Sequence, residues 1–277
     1  MDTFIITTDD LLIDDLAHIL NSNFKIQLDD SVRQKIIKCR KFLDNKLSSS
    51  SNIYYGINTG FGSLCNKIIS DEDLEKLQKN LVMSHACGMG KEIRYEIVKL
   101  MLLLKIKALS LGHSGVTIEL VDRLIFLFNN NVFPVIYEQG SLGASGDLAP
   151  LAHMSLPLIG EGYLDYNGNR IKSAEFLKEH NLAPLTLKSK EGLALLNGTQ
   201  FMSAHAAYCL IKTSNILTWA DTIGAMSLDA FEASASPFLE KVHLVRNHPG
   251  QIETARNIRM ILEGSAIFNK NKEAVQD

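Results

Sequence analysis

The chain has 277 residues, which is long enough for one large domain or two small ones. Hydrophobic residues make up 46% of it and charged residues 21%, proportions that are typical of a globular protein and argue against disorder. The net charge is −3 and the lysines are scattered among acidic residues, which argues against nucleic acid and acidic membranes as partners.

The first part of the chain predicts two short strands and a helix. The strands are predicted at 4–7 and 24–28. Ser31 and Gln34 then form a capping-box pattern, and the apolar residues that follow recur on one helical face. This helix is predicted to end before the polar run 48–52.

Three more helices are predicted before residue 131. Ser70 opens one whose stripe of leucines is extended by His85, so His85 is expected to point inward. The next is predicted from 92 to 111 and is closed by Gly112, and another begins at Thr117.

The second half of the chain predicts further helices and one hairpin. Asp147 is predicted to cap a short buried helix, and residues 163–171 to form a hairpin. A long apolar helix is predicted from 199 toward 235, and a last helix from about 249 to 264. The predicted fold class is therefore mostly α with a few short strands.

The cysteines and histidines show no spacing that is typical of a metal site or a redox motif. Free thiols are therefore predicted for Cys39, Cys65, Cys87 and Cys209. The start of the chain lacks the pattern of a signal peptide, and the most apolar stretch, 100–111, is interrupted by Lys105 and Lys107. We expect a cytoplasmic, reducing location without a membrane span.

The segment 140–150, Gly-Ser-Leu-Gly-Ala-Ser-Gly-Asp-Leu-Ala-Pro, is the predicted location of the catalytic chemistry. A backbone nitrogen attacks the carbonyl carbon two residues earlier only where the chain closes tightly, which favours glycine as the attacking residue. Attack of Gly146 on Ala144, with loss of water from the ring and from Ser145, leaves a conjugated methylene, an electrophile that ordinary side chains lack. On composition alone, the segment also fits a flexible turn that ends in Asp147 as a helix cap.

Three segments together resemble the aromatic amino-acid ammonia-lyases. They are 140–150, 55–62 (Tyr-Gly-Ile-Asn-Thr-Gly-Phe-Gly) and 191–200 (Glu-Gly-Leu-Ala-Leu-Leu-Asn-Gly-Thr-Gln). The resemblance covers essentially the whole chain and favours the members that act on histidine. It implies a helical-bundle fold of the ammonia-lyase and fumarase superfamily. It also implies that residues 144–146 cyclise autocatalytically into 4-methylideneimidazole-5-one (MIO), the family's built-in prosthetic group, with no metal or diffusible cofactor.

The resemblance further implies a role for each candidate site residue. Tyr55 matches the tyrosine that serves as base for the β-proton, and Asn197 matches the asparagine that contacts the prosthetic group and the substrate. Asp147 matches the aspartate beside the ring. His85, which is followed by alanine, matches the substrate-selecting position and favours histidine. Gln276 matches the opening of a substrate-binding motif that continues into a tyrosine and an arginine absent from this sequence.

The reaction implied is that of a carbon–nitrogen lyase, which converts L-histidine into trans-urocanate and ammonia, in a cytoplasmic homotetramer. Family members are considerably longer, so we expect an N-terminal portion in which 1–200 is the prosthetic-group domain and 201–277 begins a truncated bundle of long helices. Without the arginine, which would clamp the substrate carboxylate, and without the assembly helices, we expect the chain alone to be nearly inactive.

Each assignment has an alternative. His85 on an apolar stripe also fits a core histidine, Tyr55 also fits a packed tyrosine, and Asn197 also fits a turn. For the function, the alternatives are a tyrosine or phenylalanine ammonia-lyase, an aminomutase with the same prosthetic group, and an inactive helical scaffold that never cyclises its triad.

Overall fold

The computed structural model describes residues 3–49, 52–60, 69–141, 146–268 and 270. Helices dominate, as predicted. They are α1 (Ile13–Asn21), α2 (Asp30–Ser48), α3 (Asp71–His85), α4 (Tyr95–Ser110), α5 (Ile118–Asn129), α6 (Leu148–Ser155), α7 (Ser173–Glu179), α8 (Glu191–Leu196), α9 (Gln200–Ala230), α10 (Glu240–Leu244) and α11 (Pro249–Ile261). The strands are β1 (Thr3–Ile6), β2 (Lys25–Leu28), β3 (Met89–Glu92), β4 (Phe133–Pro134), β5 (Tyr137–Gln139), β6 (Tyr163–Tyr166) and β7 (Asn169–Lys172).

The chain divides into two compact units, Met1–Tyr208 and Cys209–Asp277. The core of the first unit is built around α4, which is buried on most of its circumference and packs against α1, α2 and α5. A helix that is apolar on all sides is stable in water only when neighbouring elements cover it, so the sequence of α4 dictates its central position.

The short sheets are fixed by pairing and by one side chain. β1 and β2 run parallel, with Thr3 opposite Lys25. Asn129, at the end of α5, accepts a hydrogen bond from the Ile26 nitrogen at 2.7 Å and donates one to the Ile26 carbonyl at 2.9 Å, which ties β2 to the helix. The predicted hairpin is confirmed as β6 and β7, with Asn167 at a φ of 52° in the turn.

The second unit has a small core of its own. Ala225, Ile258, Leu262 and Phe268 are buried together. The Asn257 side chain donates a hydrogen bond to the Asp221 carboxylate at 2.7 Å, which joins α9 to α11 inside this unit.

Several predicted boundaries are confirmed and others need correction, including the end of the last helix, which lies at Ile261 and not near 264. The Ser70 and Thr117 side chains cap α3 and α5, as predicted. The capping box at Ser31 was wrong, because the Asp29 carboxylate accepts the Ser31 amide hydrogen and α2 begins at Asp30. The helix predicted from residue 92 begins at Tyr95, since β3 pairs with β5 up to Glu92.

A further correction concerns α9, which ends at Ala230 rather than near 235. Glu232 adopts a φ of 56° and the Ala233 amide bonds back to the Leu228 carbonyl, a left-handed turn that ends the helix.

Other sequence expectations can be compared with the described residues. Free thiols are confirmed for Cys39, Cys87 and Cys209, whereas Cys65 lies outside the described ranges. Among the helices that the structure describes, none is long and apolar enough to cross a membrane. Within the same residues, no group of three or more His, Cys, Asp and Glu side chains is placed to hold a metal ion.

Candidate active site

A close backbone contact holds Gly146 against Gly198. The two residues form an isolated parallel bridge, and the Asp147 amide donates to the Gly198 carbonyl at 3.0 Å. Gly146 has a φ of +93°, and a Cβ there would collide with the Gly198 carbonyl oxygen and lie 3.0 Å from its carbon. Only glycine suits this position, because both the conformation and the space exclude a side chain. Ala144 and Ser145 lie outside the described residues.

Asp147 caps a different helix from the one predicted. The sequence suggested that its carboxylate caps the helix that follows it, but α6 has no side-chain cap. The carboxylate instead accepts a hydrogen bond from the Met202 amide, at 3.0 Å, in the first turn of α9. This bond satisfies one of the unpaired donors at the start of α9 and fastens residue 147 to the chain just beyond Gly198.

Asn197 lies between α8 and the glycine bridge. It is the residue that ends α8, its side chain is exposed, and its Nδ2 donates to the Leu193 carbonyl at 3.3 Å. Because Asn197 ends α8, the position of its carboxamide depends on how firmly α8 is held.

Buried polar side chains hold the first turn of α8. Glu191 is 2% exposed, and its carboxylate accepts hydrogen bonds from the Thr117 amide at 2.7 Å, the Thr117 hydroxyl at 2.8 Å and the Lys188 amide at 2.7 Å. The side-chain oxygen of Gln78, on α3, accepts a bond from the Gly192 amide at 2.8 Å. A short helix with so few internal bonds is thus fixed by the carboxylate of its own Glu191 and by the Gln78 side chain of α3.

The other end of α8 is held by a buried lysine. Lys105 is 1% exposed and donates from Nζ to the Ala194 carbonyl at 3.2 Å. Burial lowers the pKa of its ammonium from 10.5 to about 7, because the charged form loses its hydration in the core. Both ends of the helix that precedes Asn197 are therefore fixed from within the core.

His85 is the last residue of α3 and is half-buried. Its Nδ1 lies 2.8 Å from the Leu81 carbonyl oxygen. A carbonyl oxygen only accepts, so Nδ1 carries the hydrogen and Nε2 is the acceptor nitrogen of the neutral ring. The bond to Leu81 agrees with the core-histidine interpretation, and it also sets the tautomer that a ligand would meet at Nε2.

The residues just after His85 run beside the glycine-rich segment. The Gly88 amide donates to His153 Nε2 at 2.9 Å, and burial lowers the pKa of His153, which favours the neutral ring that accepts this bond. A Cβ on Gly140 would lie 2.8 Å from the Gly88 Cα. The end of α3 and the start of the 140–146 segment are thus adjacent.

The Tyr55 loop is held by its own side chains. Asn58 accepts a bond from the Tyr54 amide at 2.7 Å, and the buried hydroxyl of Thr59 accepts one from the Gly56 amide at 3.1 Å. The Tyr55 side chain is 61% exposed. These bonds fix the loop internally, and the approach of Tyr55 to the Gly146 segment stays a prediction, as does the role of Gln276, which lies outside the described residues.

A family model covers nearly the whole chain. The family model for aromatic amino acid lyases matches residues 11–277.

The chain belongs to the aromatic amino acid lyase family.

Relatives and solved structures of the family agree with this assignment. Histidine ammonia-lyase 2 of Fusobacterium nucleatum is 44% identical over 92% of this chain and 50% of its own length. The crystal structure of histidine ammonia-lyase from Trypanosoma cruzi has a TM-score of 0.84 at 36% identity, over 94% of this chain and 50% of that one. Tyrosine aminomutase from Streptomyces globisporus has a TM-score of 0.88 at 30% identity, over 95% and 50%. The chain thus spans about half the length of the lyases and aminomutases it matches.

Sequence reasoning did not single out three buried polar residues as positioning residues. Gln78 lies between Leu74 and Val82 on the buried face of α3, Lys105 interrupts the most apolar stretch, and Glu191 opens the third matching segment. A polar residue on an otherwise apolar helical face was the available signal, since a buried polar group needs a partner.

Proposed function

We propose that this chain carries the prosthetic-group site and the substrate-selecting histidine of a histidine ammonia-lyase, which converts L-histidine into trans-urocanate and ammonia. The observation that carries the proposal is the bridge between Gly146 and Gly198, where the nitrogen expected to close the ring belongs to a glycine whose backbone packs too closely for any side chain. Similarity to the histidine ammonia-lyases supports the choice of substrate.

The described residues fit MIO. Gly146 has the positive φ and the lack of a Cβ that tight backbone closure requires, and the carboxylate of Asp147 is anchored on α9. Asn197 and Gly198 would flank the group, which Ala144, Ser145 and Gly146 would form. When present, it supplies an electrophilic carbon for the substrate amine, which no side chain of the chain offers.

The remaining residues bind the substrate and move its proton. Tyr55 would take the β-proton, because a weakly acidic C–H needs a base held at the carbon before reaction. His85 would orient the substrate imidazole by accepting its N–H at Nε2, the nitrogen left as acceptor by the bond to Leu81. Asn197 would hold the substrate beside the 144–146 segment with its carboxamide.

Assembly and organisation are part of the same proposal. We keep the prosthetic-group domain at 1–200, the start of the helix bundle at 201–277, the homotetramer and the cytoplasmic location as predictions. Along the chain, the boundary between the two compact units falls after Tyr208, a few residues beyond the predicted boundary and within α9. Residues 201–208 belong by their contacts to the first unit. The boundary between the units therefore lies inside α9 and not at either end of this helix.

Intact mass spectrometry tests the proposal on this chain without requiring turnover. Ring formation removes two water molecules, so the chain should be about 36 Da lighter than its sequence requires. Ser145→Ala cannot form the methylene and should not show the full loss, and Gly146→Ala should keep the unmodified mass. An unmodified mass for the original chain would leave only the helical scaffold and would refute the proposal.

An aminomutase is the second candidate function. It is favoured by the structural similarity to the tyrosine aminomutase of Streptomyces globisporus. A lyase releases ammonia and an unsaturated acid, whereas an aminomutase returns the amine to the β-carbon. Chromatography of the products from L-histidine, L-tyrosine and L-phenylalanine separates the two functions, since trans-urocanate with an equal amount of ammonia is expected only from the histidine lyase.

A further inference from the structure

A cavity outside the candidate active site lies between the turn after α1, the start of α4 and strand β4. Its volume is about 420 Å³, within the range of roughly 300–1,000 Å³ that small-molecule sites occupy. Its lining residues include Asn21, Asn23 and Asn131, which carry amide groups, and the aromatic residues Tyr95 and Phe133. The two rings lie 5.9 Å apart between centroids at a tilted angle. The cavity therefore offers hydrogen-bonding groups and an aromatic wall together.

One of the lining residues is a buried lysine. Lys99 lines the cavity but is only 6% exposed. In the part of the chain that the structure describes, its Nζ has one hydrogen-bond acceptor, the Ser22 carbonyl at 3.4 Å, and forms no salt bridge. The Phe128 ring centroid is 5.7 Å from Nζ. An ammonium has three donors, so this one keeps hydrogen-bonding capacity for an anion.

The burial of Lys99 with no paired carboxylate among the residues that the structure describes has an electrostatic consequence. Desolvation lowers the pKa of Lys99, and it is the one cause of the shift among the described residues. A ligand with a negative charge would compensate the buried ammonium, whereas a neutral ligand of the same shape would not. The surrounding amides can donate further hydrogen bonds to an acid group.

We propose that this cavity binds a small organic anion with a planar ring, whose acid group lies on the Lys99 ammonium and whose ring packs against Tyr95 and Phe133. The site is separate from the residues assigned to catalysis, so the inference does not depend on the lyase reaction. The anion would supply the negative charge that Lys99 lacks among the described residues.

Benzoate and benzamide are a matched pair of probes, because they have nearly the same shape and differ in charge. Calorimetric titration of the original chain should show benzoate binding at least about tenfold more tightly than benzamide, the lower end of the effect of a charge-assisted hydrogen bond. Equal affinities, or no binding of either probe, would overturn the proposal without any variant being made.

Two variants test whether the Lys99 ammonium is the charge that binds the anion. Lys99→Met should reduce benzoate affinity to that of benzamide, and its helical circular dichroism spectrum checks that it folds. Lys107→Met removes a lysine of the same helix whose Nζ bonds the Thr7 carbonyl at 2.7 Å and which does not line the cavity, and it should leave benzoate affinity unchanged. Retention of affinity in a folded Lys99→Met protein, or an equal loss in Lys107→Met, would contradict the proposed site.

Discussion

Replacing Lys105 with methionine should remove one source of pH dependence from the free energy of unfolding. Lys105 is 1% exposed, and burial lowers its pKa from 10.5 to about 7. The unfolded chain keeps the proton up to the ordinary pKa, whereas the folded chain releases it near pH 7. Between these two values the unfolded state binds more protons, so stability rises with pH throughout that window.

The magnitude follows from the shift. One pKa unit corresponds to about 1.4 kcal/mol. The cost of burying the ammonium is fully present below pH 7 and is relieved as the pH rises toward 10.5. From pH 7 to pH 9 the original protein should therefore gain about 2 kcal/mol through Lys105, a gain that the methionine variant lacks. The stability of the variant relative to the original protein should fall by that amount.

Urea unfolding followed by circular dichroism at pH 7, 8 and 9 measures this difference. Leu103→Met is the matched control, because Leu103 is buried on the same helix and the substitution nearly conserves volume without removing an ionisable group. Its stability relative to the original protein should not change with pH. If the Lys105→Met difference also stays constant, within about 0.5 kcal/mol, the folded protein does not hold a desolvated ammonium at this position and the reasoning is refuted.

Substitutions of three site residues, two of them with matched control variants, give further predictions. Asp147→Ala should destabilise the protein by about 0.5–2 kcal/mol in urea unfolding through loss of the bond to the Met202 amide, whereas Asp147→Asn should retain most of the stability. Glu191→Gln should cost about 1–3 kcal/mol, because its amide group would face donors in the core, while the exposed Glu175→Gln should have little effect; equal stabilities would contradict this. His85→Phe should lower the calorimetric binding ratio of L-histidine to L-phenylalanine by about tenfold or more, and an unchanged ratio would defeat the assignment of His85.

Local signals in the sequence predicted most helices and the hairpin. The Ser70 and Thr117 caps and the turn at Asn167 depend on residues within a few positions of one another, which sequence patterns record directly. The error at the start of α2 arose because a second capping residue lies close to the predicted one in the sequence. The carboxylate of Asp29, two residues before Ser31, accepts the hydrogen bond from the Ser31 amide. In the predicted capping box, the Gln34 side chain would have accepted this bond.

The contacts that build the site were less accessible from the sequence. The sequence pattern correctly placed Asp147 before a helix, but its carboxylate accepts a hydrogen bond from the Met202 amide of a later helix. Local sequence patterns do not predict contacts between residues so far apart in the chain. The pairing of Gly146 with Gly198 is likewise a long-range contact. Family resemblance named the candidate residues, whereas the polar groups that hold α8 emerged only from the packing of α3, α4 and α8.

The pairing of Gly146 with Gly198 also constrains the order of folding and ring closure. These residues meet only after the polypeptide has been synthesised past Met202 and the helices around α8 have docked. Any ring closure that requires this contact between two glycines must therefore follow folding. A nascent or misfolded chain would keep an unmodified backbone at residues 144–146. Maturation of the electrophile would then report, in each molecule, that the first unit has already reached its native arrangement.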